Sequence, residues 1–161
     1  MSVAVSVDAR GVATVTLNRP GRANAYDYAT LAAVAEAFER FAADDAIRVI
    51  VLRGEGKHFC SGADVAAGAE PGPGQPGVYE LLASLETTPK PTIAVVQGAC
   101  IGGGLVLAAM CDMLIASSGA FFSMPEVRLG LTPGPSSAPV FARTSFQGVS
   151  TSADPCWAAS R

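Results

Sequence analysis

The residues able to do chemistry lie in three places, two of them glycine loops at the ends of apolar strands. From Thr92 to Asp112 the chain reads TIAVVQGACIGGGLVLAAMCD. Thr92 to Val96 has the length and β-branching of a strand covered on both faces; Gly98 ends it, and Gly102, Gly103 and Gly104 open an apolar, alanine-rich helix. The first N–H groups of a helix lack partners within it and carry partial positive charge, so the loop suits an oxyanion. Glycines there let a ligand approach the backbone. The second loop lies in IRVIVLRGEGKHFCSGA, Ile47 to Ala63, and again follows a β-branched strand. Either loop alone is explained as a turn in which glycine supplies a positive φ, whereas two such loops in one sheet can face one pocket. The third place is Glu126, after Pro125. It is a carboxylate able to carry a proton, although an isolated Pro-Glu is ordinarily a surface turn.

Other chemistries find less support. Gly54 and Gly56 follow a strand as in a dinucleotide fingerprint, but Phe59 stands where the third glycine belongs. His58 is the one histidine and reads as a hydrogen-bonded loop residue, not a base. No His, Cys and carboxylate cluster has metal-ligand spacing, so no metal is expected. Cys60, Cys100, Cys111 and Cys156 show no CxxC spacing, and three of them fall in apolar or glycine-rich segments as small buried thiols. Asp64 reads as the cap of a short following helix, and Asp112 as structural at the start of its strand.

The elements that must position these groups follow from periodicity. Val3–Val7 and Val12–Leu17 form a hairpin across Asp8–Gly11, and a helix is expected from about Asp27 to Ala43 with Leu31, Val34, Ala35, Phe38, Phe41 and Ala42 on its apolar face. Gly68–Gly77 is proline- and glycine-rich and reads as a mobile loop of the kind that serves as a lid. Val78–Glu86 is a short amphipathic helix stopped before Pro89 and Pro91; Asp112–Ala116 and Ala120–Ser123 are further strands, and Ser136–Thr144 one more helix. Strands alternating with helices after the hairpin imply a mainly parallel sheet, an α/β fold. From Ser145 to Arg161 the composition turns to serine, alanine and glycine without an apolar period and reads as an unstructured tail.

With 161 residues, half of them apolar, the chain has the size of one domain and material for a core. Its net charge of −3 and scattered basic residues give no nucleic-acid footprint and no polybasic membrane surface. Neither a leader peptide nor a span is legible, and the expected setting is a reducing cytoplasm.

FCSGADV (Phe59–Val65), QGACIGGGLVLAAMCD (Gln97–Asp112) and MPEVRLGLTPG (Met124–Gly134) resemble, in order and spacing, the successive signatures of the enoyl-CoA hydratase/isomerase, or crotonase, family. The resemblance runs from Val3 to about Thr144. It implies a crotonase-like (ClpP/crotonase) spiral of ββα units, with residues 1–144 as an incomplete acyl-CoA-binding core, 145–161 as the unmatched tail, and the C-terminal helical part missing. It also implies a homotrimer or hexamer, which a chain ending in this way would be ill equipped to build.

The resemblance further implies that a thioester carbonyl sits between the backbone N–H groups of Ala63 and Gly103. Arg22, Ala23, Ser61 and Val65 then lie on the adenine and ribose side of coenzyme A, and Lys57 near its phosphates. Coenzyme A is part of the substrate, and no separate cofactor is implied. Hydratases of the family use two glutamates; Glu126 matches one, and Val106 stands in place of the other. The expected chemistry is therefore single-glutamate proton transfer, as in moving a double bond, in preference to hydration. A catalytically impaired hydratase homologue and a non-catalytic acyl-CoA-binding protein are the alternatives.

Overall fold

A computed structural model describes residues 1–64, 66–67 and 71–126. The expected helix at 136–144 and the tail at 145–161 lie outside the described residues. Strands β1 (Val3–Val7) and β2 (Val12–Leu17) form the expected hairpin. Its turn is closed by Asp8, whose carboxylate accepts from the Arg10 and Val12 N–H groups, both at 2.9 Å. Helix α1 (Tyr28–Ala42) then crosses to β3 (Val49–Gly54), which pairs parallel with β2. Asp27 caps α1 by accepting from Thr30 N–H at 2.8 Å, a contact worth about 1 kcal/mol.

Helix α2 (Val78–Glu86) leads to β4 (Thr92–Val96), a short strand β5 (Ala99–Ile101), helix α3 (Gly103–Ala109), β6 (Met113–Ala116) and β7 (Phe121–Ser123). The main sheet has the order β1-β2-β3-β4-β6, parallel except for the hairpin, and β5 pairs parallel with β7 in a second small sheet. The α/β expectation holds. Strand β5 was not legible: three residues inside a glycine-rich turn give no periodicity.

One face of the sheet makes the core. Ala13, Val15 and Leu17 of β2, Ile50 and Leu52 of β3, and Ala94 and Val96 of β4 are buried there beneath Leu31, Val34, Phe38 and Phe41 of α1. Ala37 joins that helix face, and Ala42 is only half-buried. The expectation that β4 is covered on both faces is corrected, since Val95 is exposed and Ile93 half-buried. Of the expected lid, residues 71–77 are described: Gln75 N–H donates to Gly72 O at 3.1 Å within the loop, and Tyr28 Oη of α1 donates to Pro76 O at 2.8 Å. Asp112 has its structural role, because its carboxylate accepts from Thr92 N–H and Thr92 Oγ1, both at 2.9 Å, and locks β6 to β4.

Asp64 departs from the cap expected of it. Its side chain, 8% exposed, accepts from Arg22 at 2.7 Å and from Arg19 at 2.9 Å, and only its backbone carbonyl turns back to Ala67 N–H. The Arg22 hydrogen bond foremost holds the Asp64 carboxyl below its ordinary 3.8; burial opposes this, and Arg19 adds to the lowering. A carboxyl depressed on folding stabilises fully above its unfolded value and loses that contribution as pH falls through the folded one. Asp64→Asn should therefore lower the thermal midpoint at neutral pH, with the gap to wild type closing below about pH 4. A gap independent of pH would show that the carboxylate charge plays no part.

Met113, Leu114 and Ile115 on the edge strand β6 are exposed, as are Phe121 and Phe122 on β7. An apolar edge with unpaired backbone groups is a template for association. Size-exclusion chromatography should find this chain above monomer size, and Ile115→Lys should shift it toward monomer; a monodisperse wild-type monomer would contradict this.

Candidate functional site

Four stretches distant in sequence meet beside the upper ends of β3 and β4. Residues 23–26 lie along 61–64, with Ser61 N–H donating to Ala23 O at 3.0 Å, Tyr26 N–H to Gly62 O at 2.9 Å and Asp64 N–H to Tyr26 O at 2.7 Å. Residues 59–60 lie along 99–101, with Cys60 N–H donating to Ala99 O at 3.1 Å and Ile101 N–H to Cys60 O at 2.9 Å. Gly102 N–H donates to Ser123 O at 2.8 Å, bringing up the strand that leads to Glu126. The first stretch is bent by Ala23 and Asn24, both at positive φ, 49° and 55°. Asn24, 1% exposed, is held in place by donating to Glu55 O and His58 O and accepting from Arg19 N–H.

The two glycine loops are thus neighbours. Gly62 has φ 99°, and a Cβ on it would come within 3.0 Å of Ile101 O and 3.6 Å of Gly103 N. The parallel bridge between Tyr26 and Ala63 uses the carbonyl of Gly62 and the N–H of Asp64. Ala63 N–H therefore turns away from Tyr26, and neither it nor Gly103 N–H donates to any described residue. Two free backbone donors on adjoining loops can bind one negatively charged oxygen.

On the side where a Cβ would stand, the three glycines are packed against the protein's own groups. A Cβ on Gly102 would stand 2.9 Å from Glu126 Oε1, one on Gly103 would overlap Tyr26 Oη, and one on Gly104 would stand 2.8 Å from Cys60 Cβ. Glu126 is half-buried, and its Oε2 is buried with no hydrogen-bond partner among the described residues. Position 106, where a second carboxylate would be needed, is a valine 2% exposed among core residues Leu107 and Ala108.

Of the other residues singled out, Arg22, Ala23 and Ser61 lie together on one side of the 61–64 loop, where Ser61 Oγ donates to Arg22 O at 3.4 Å. Arg22 pairs with Asp64 while most of its side chain stays in solvent. Lys57 is exposed in the neighbouring turn, and Val65 is outside the described residues. His58 Nδ1 accepts from Ala99 N–H at 3.1 Å, the loop role expected of it. Among the described residues no group of histidine, cysteine and carboxylate side chains could hold a metal, and no helix is long and apolar enough to cross a membrane. Cys60 and Cys100 face each other across an isolated parallel bridge; burial pushes their thiols up to about 11 and about 12, so they are inert small hydrophobes.

Sequence reasoning missed Tyr26. It sits in Asn24-Ala25-Tyr26-Asp27, which reads only as the approach to a helix, yet its ring is 6% exposed and its hydroxyl stands over Gly103. Burial foremost, then Cys60 and Glu126, push its phenol up to about 12. No local signal could have revealed a contact made so far along the chain.

The fold and these loops have counterparts in known proteins. The family model for enoyl-CoA hydratase/isomerase matches residues 8–147. An enoyl-CoA hydratase of Alternaria alternata, ACTT6, is 37% identical over 125 residues, a match covering 76% of this chain and 42% of that protein. The peroxisomal bifunctional enzyme of Danio rerio is 39% identical over 124 residues, covering 77% of this chain and 17% of that protein. Among solved structures, an enoyl-CoA hydratase subunit I from Geobacillus kaustophilus superposes with TM-score 0.78 at 35% identity, over 87% of this chain and 56% of that one. An enoyl-CoA hydratase/carnitine racemase from Magnetospirillum magneticum gives 0.79 at 32%, over 88% and 56%. The chain thus spans little more than half the length of these solved relatives, and less of the two sequence relatives. With the family model matching most of its residues, and the fold matching at better than 30% identity, this chain belongs to the enoyl-CoA hydratase/isomerase family.

Proposed function

We propose that the protein acts on acyl-CoA thioesters by proton transfer through a single carboxylate, Glu126, moving a double bond from the 3 to the 2 position in preference to adding water. The backbone N–H groups of Ala63 and Gly103 take the thioester oxygen. Glu126 removes a proton from C2; the C–H electron pair becomes the C1–C2 π bond of an enolate as the carbonyl π pair passes to the oxygen, which carries the negative charge. The protonated Glu126 carboxyl returns the proton at C4, where the C3–C4 π pair forms the new C–H bond, the C1–C2 π pair becomes the C2–C3 double bond, and an oxygen pair restores the carbonyl. No electrons are gained or lost, and no cofactor enters the cycle.

The observation that carries this reading is the contrast between positions 126 and 106. Glu126 reaches the turn at Gly102 with one carboxylate oxygen buried and unpartnered, whereas position 106 is a valine in the core. Adding water across a double bond needs one group to activate the water and a second to complete the proton bookkeeping, and valine can do neither. Coenzyme A would run along Arg22, Ala23, Ser61 and Val65, with Lys57 as a point charge for phosphate. We place this chemistry in a reducing compartment, the cytoplasm, where the buried thiols of Cys60 and Cys100 would persist. The exposed apolar edge at Met113–Ile115 supports self-association of this chain, without specifying the trimer or hexamer that the family resemblance suggests.

Turnover of a 3-enoyl-CoA to its 2-enoyl isomer should exceed hydration of the 2-enoyl-CoA. Glu126→Gln should lower isomerisation by at least about 100-fold while leaving acyl-CoA binding near wild type. Hydration that outpaces isomerisation in the wild type would overturn the reading in favour of a hydratase using another group to orient water. Acyl-CoA binding with neither reaction would favour the non-catalytic alternative.

A further inference from the structure

Tyr26 belongs to no part of the chemistry above, yet its side chain stands directly over Gly103. Its hydroxyl occupies the place a Cβ on Gly103 would take, with ring atoms Cζ and Cε1 at 2.8 and 2.9 Å from that point. Gly103 is the residue whose free N–H is one of the two oxygen-binding donors. The adjacent glycine gives its space to Glu126 Oε1. A phenol hydroxyl and a carboxylate thus stand over consecutive residues of one turn.

Tyr26 is more than nine-tenths buried and its hydroxyl, set against Gly103, hydrogen-bonds to no described residue, while Glu126 Oε2 is itself buried and without a hydrogen-bond partner among the described residues. A buried carboxylate oxygen without a partner is uncommon and points to one supplied from outside. The two groups also differ in kind. A phenol held near 12 keeps its proton at physiological pH and can donate a hydrogen bond, whereas a carboxylate oxygen accepts. An acyl thioester presents the complement of this pair, a carbonyl oxygen that accepts and, one carbon away, a C–H that gives up a proton.

We propose that Tyr26 is a catalytic residue whose hydroxyl donates a third hydrogen bond to the thioester oxygen, beside the backbone N–H groups of Ala63 and Gly103, while Glu126 takes the proton from C2. This deepens and rests on the reading of the site as an acyl-CoA enolate-forming centre. The hydroxyl stays neutral throughout. It strengthens its hydrogen bond as charge develops on the oxygen, so it favours the enolate over the ground-state carbonyl and acts on kcat more than on KM. Its ring needs the glycine at 103, because any side chain there would push the hydroxyl out of place.

The test is Tyr26→Phe, which retains the ring and its packing and removes only the hydroxyl, with acetoacetyl-CoA as probe because its bound enolate absorbs in the near ultraviolet. The variant should keep the wild-type thermal midpoint and KM, lose about 10- to 100-fold in isomerase kcat, and show a much weaker enolate band. Gly103→Ala, which keeps the N–H but displaces the hydroxyl, should weaken the band in the same way and serves if Tyr26→Phe folds poorly. An enolate band of wild-type strength in Tyr26→Phe would overturn the proposal and leave the single-carboxylate reading standing. A wild-type protein that forms the enolate but does not isomerise would overturn that reading of the reaction, with Tyr26 then judged on the band alone. A wild type that binds no acetoacetyl-CoA would count against both.

Discussion

The site depends on a seam of backbone hydrogen bonds. Segments 23–26, 59–64, 99–102 and 121–123 are joined by N–H to carbonyl contacts between 2.7 and 3.1 Å, among them Tyr26 to Gly62, Ile101 to Cys60 and Gly102 to Ser123. Each is worth only about 0.5–1.5 kcal/mol net. Their effect is geometric: short runs of extended chain, too brief to be stable strands alone, are fixed in register by their neighbours. Asp64 draws Arg19 and Arg22 together at one end of this seam, and Asn24 clamps the turn at Glu55 and His58. A donor pair built from main chain is only as well placed as the register that holds it, so the preorganisation that the proposed oxyanion stabilisation by Ala63 and Gly103 would need resides in the seam.

The seam also explains the glycines. Loops this closely laid leave no room for side chains on the inner side, and the atoms filling the freed space come from remote parts of the sequence: Glu126 over Gly102, Tyr26 over Gly103, Cys60 over Gly104. Glycine at these positions admits protein before it admits ligand. The run Gly102-Gly103-Gly104 is therefore the meeting point of three elements rather than a bare cradle, and its composition follows from packing as much as from chemistry.

That distinction marks what was legible in the sequence. The hairpin, α1 and α2, strands β3, β4 and β6 and the start of α3 could be read because each carries its own period or its own cap, as Asp27 does for α1. Their boundaries moved by a residue or two. What could not be read depends on partners. Strand β5 exists only because Ser123 and its neighbours lie alongside it, Asp64 leaves its local cap for two arginines on another loop, and β4 exposes Val95 where its composition alone suggested burial on both faces. Of the site, the glycine loops and Glu126 stand out as motifs. Tyr26 has no motif, since nothing in its neighbours announces that its hydroxyl ends against Gly103.

The contrast between Val106 and Glu126 has a physical consequence for what chemistry this scaffold can host. A carboxylate at position 106 would replace a side chain 2% exposed among Leu107 and Ala108, and an ion taken out of water without a partner costs several kcal/mol unless it is neutralised or hydrogen-bonded. The second acid is thus absent and its place is also apolar. By contrast, Glu126 lies at the mouth of the glycine turn, half-exposed overall, where one oxygen can stay hydrated while the other faces inward. A neutral phenol beside Gly103 is held at low electrostatic cost, because Tyr26 carries no charge to desolvate. One carboxylate, one neutral hydroxyl and two backbone donors make up the set on which the proposed passing of a proton along a carbon chain rests, with no second carboxylate at position 106 to help generate hydroxide. Burial thus selects among the reactions open to the fold.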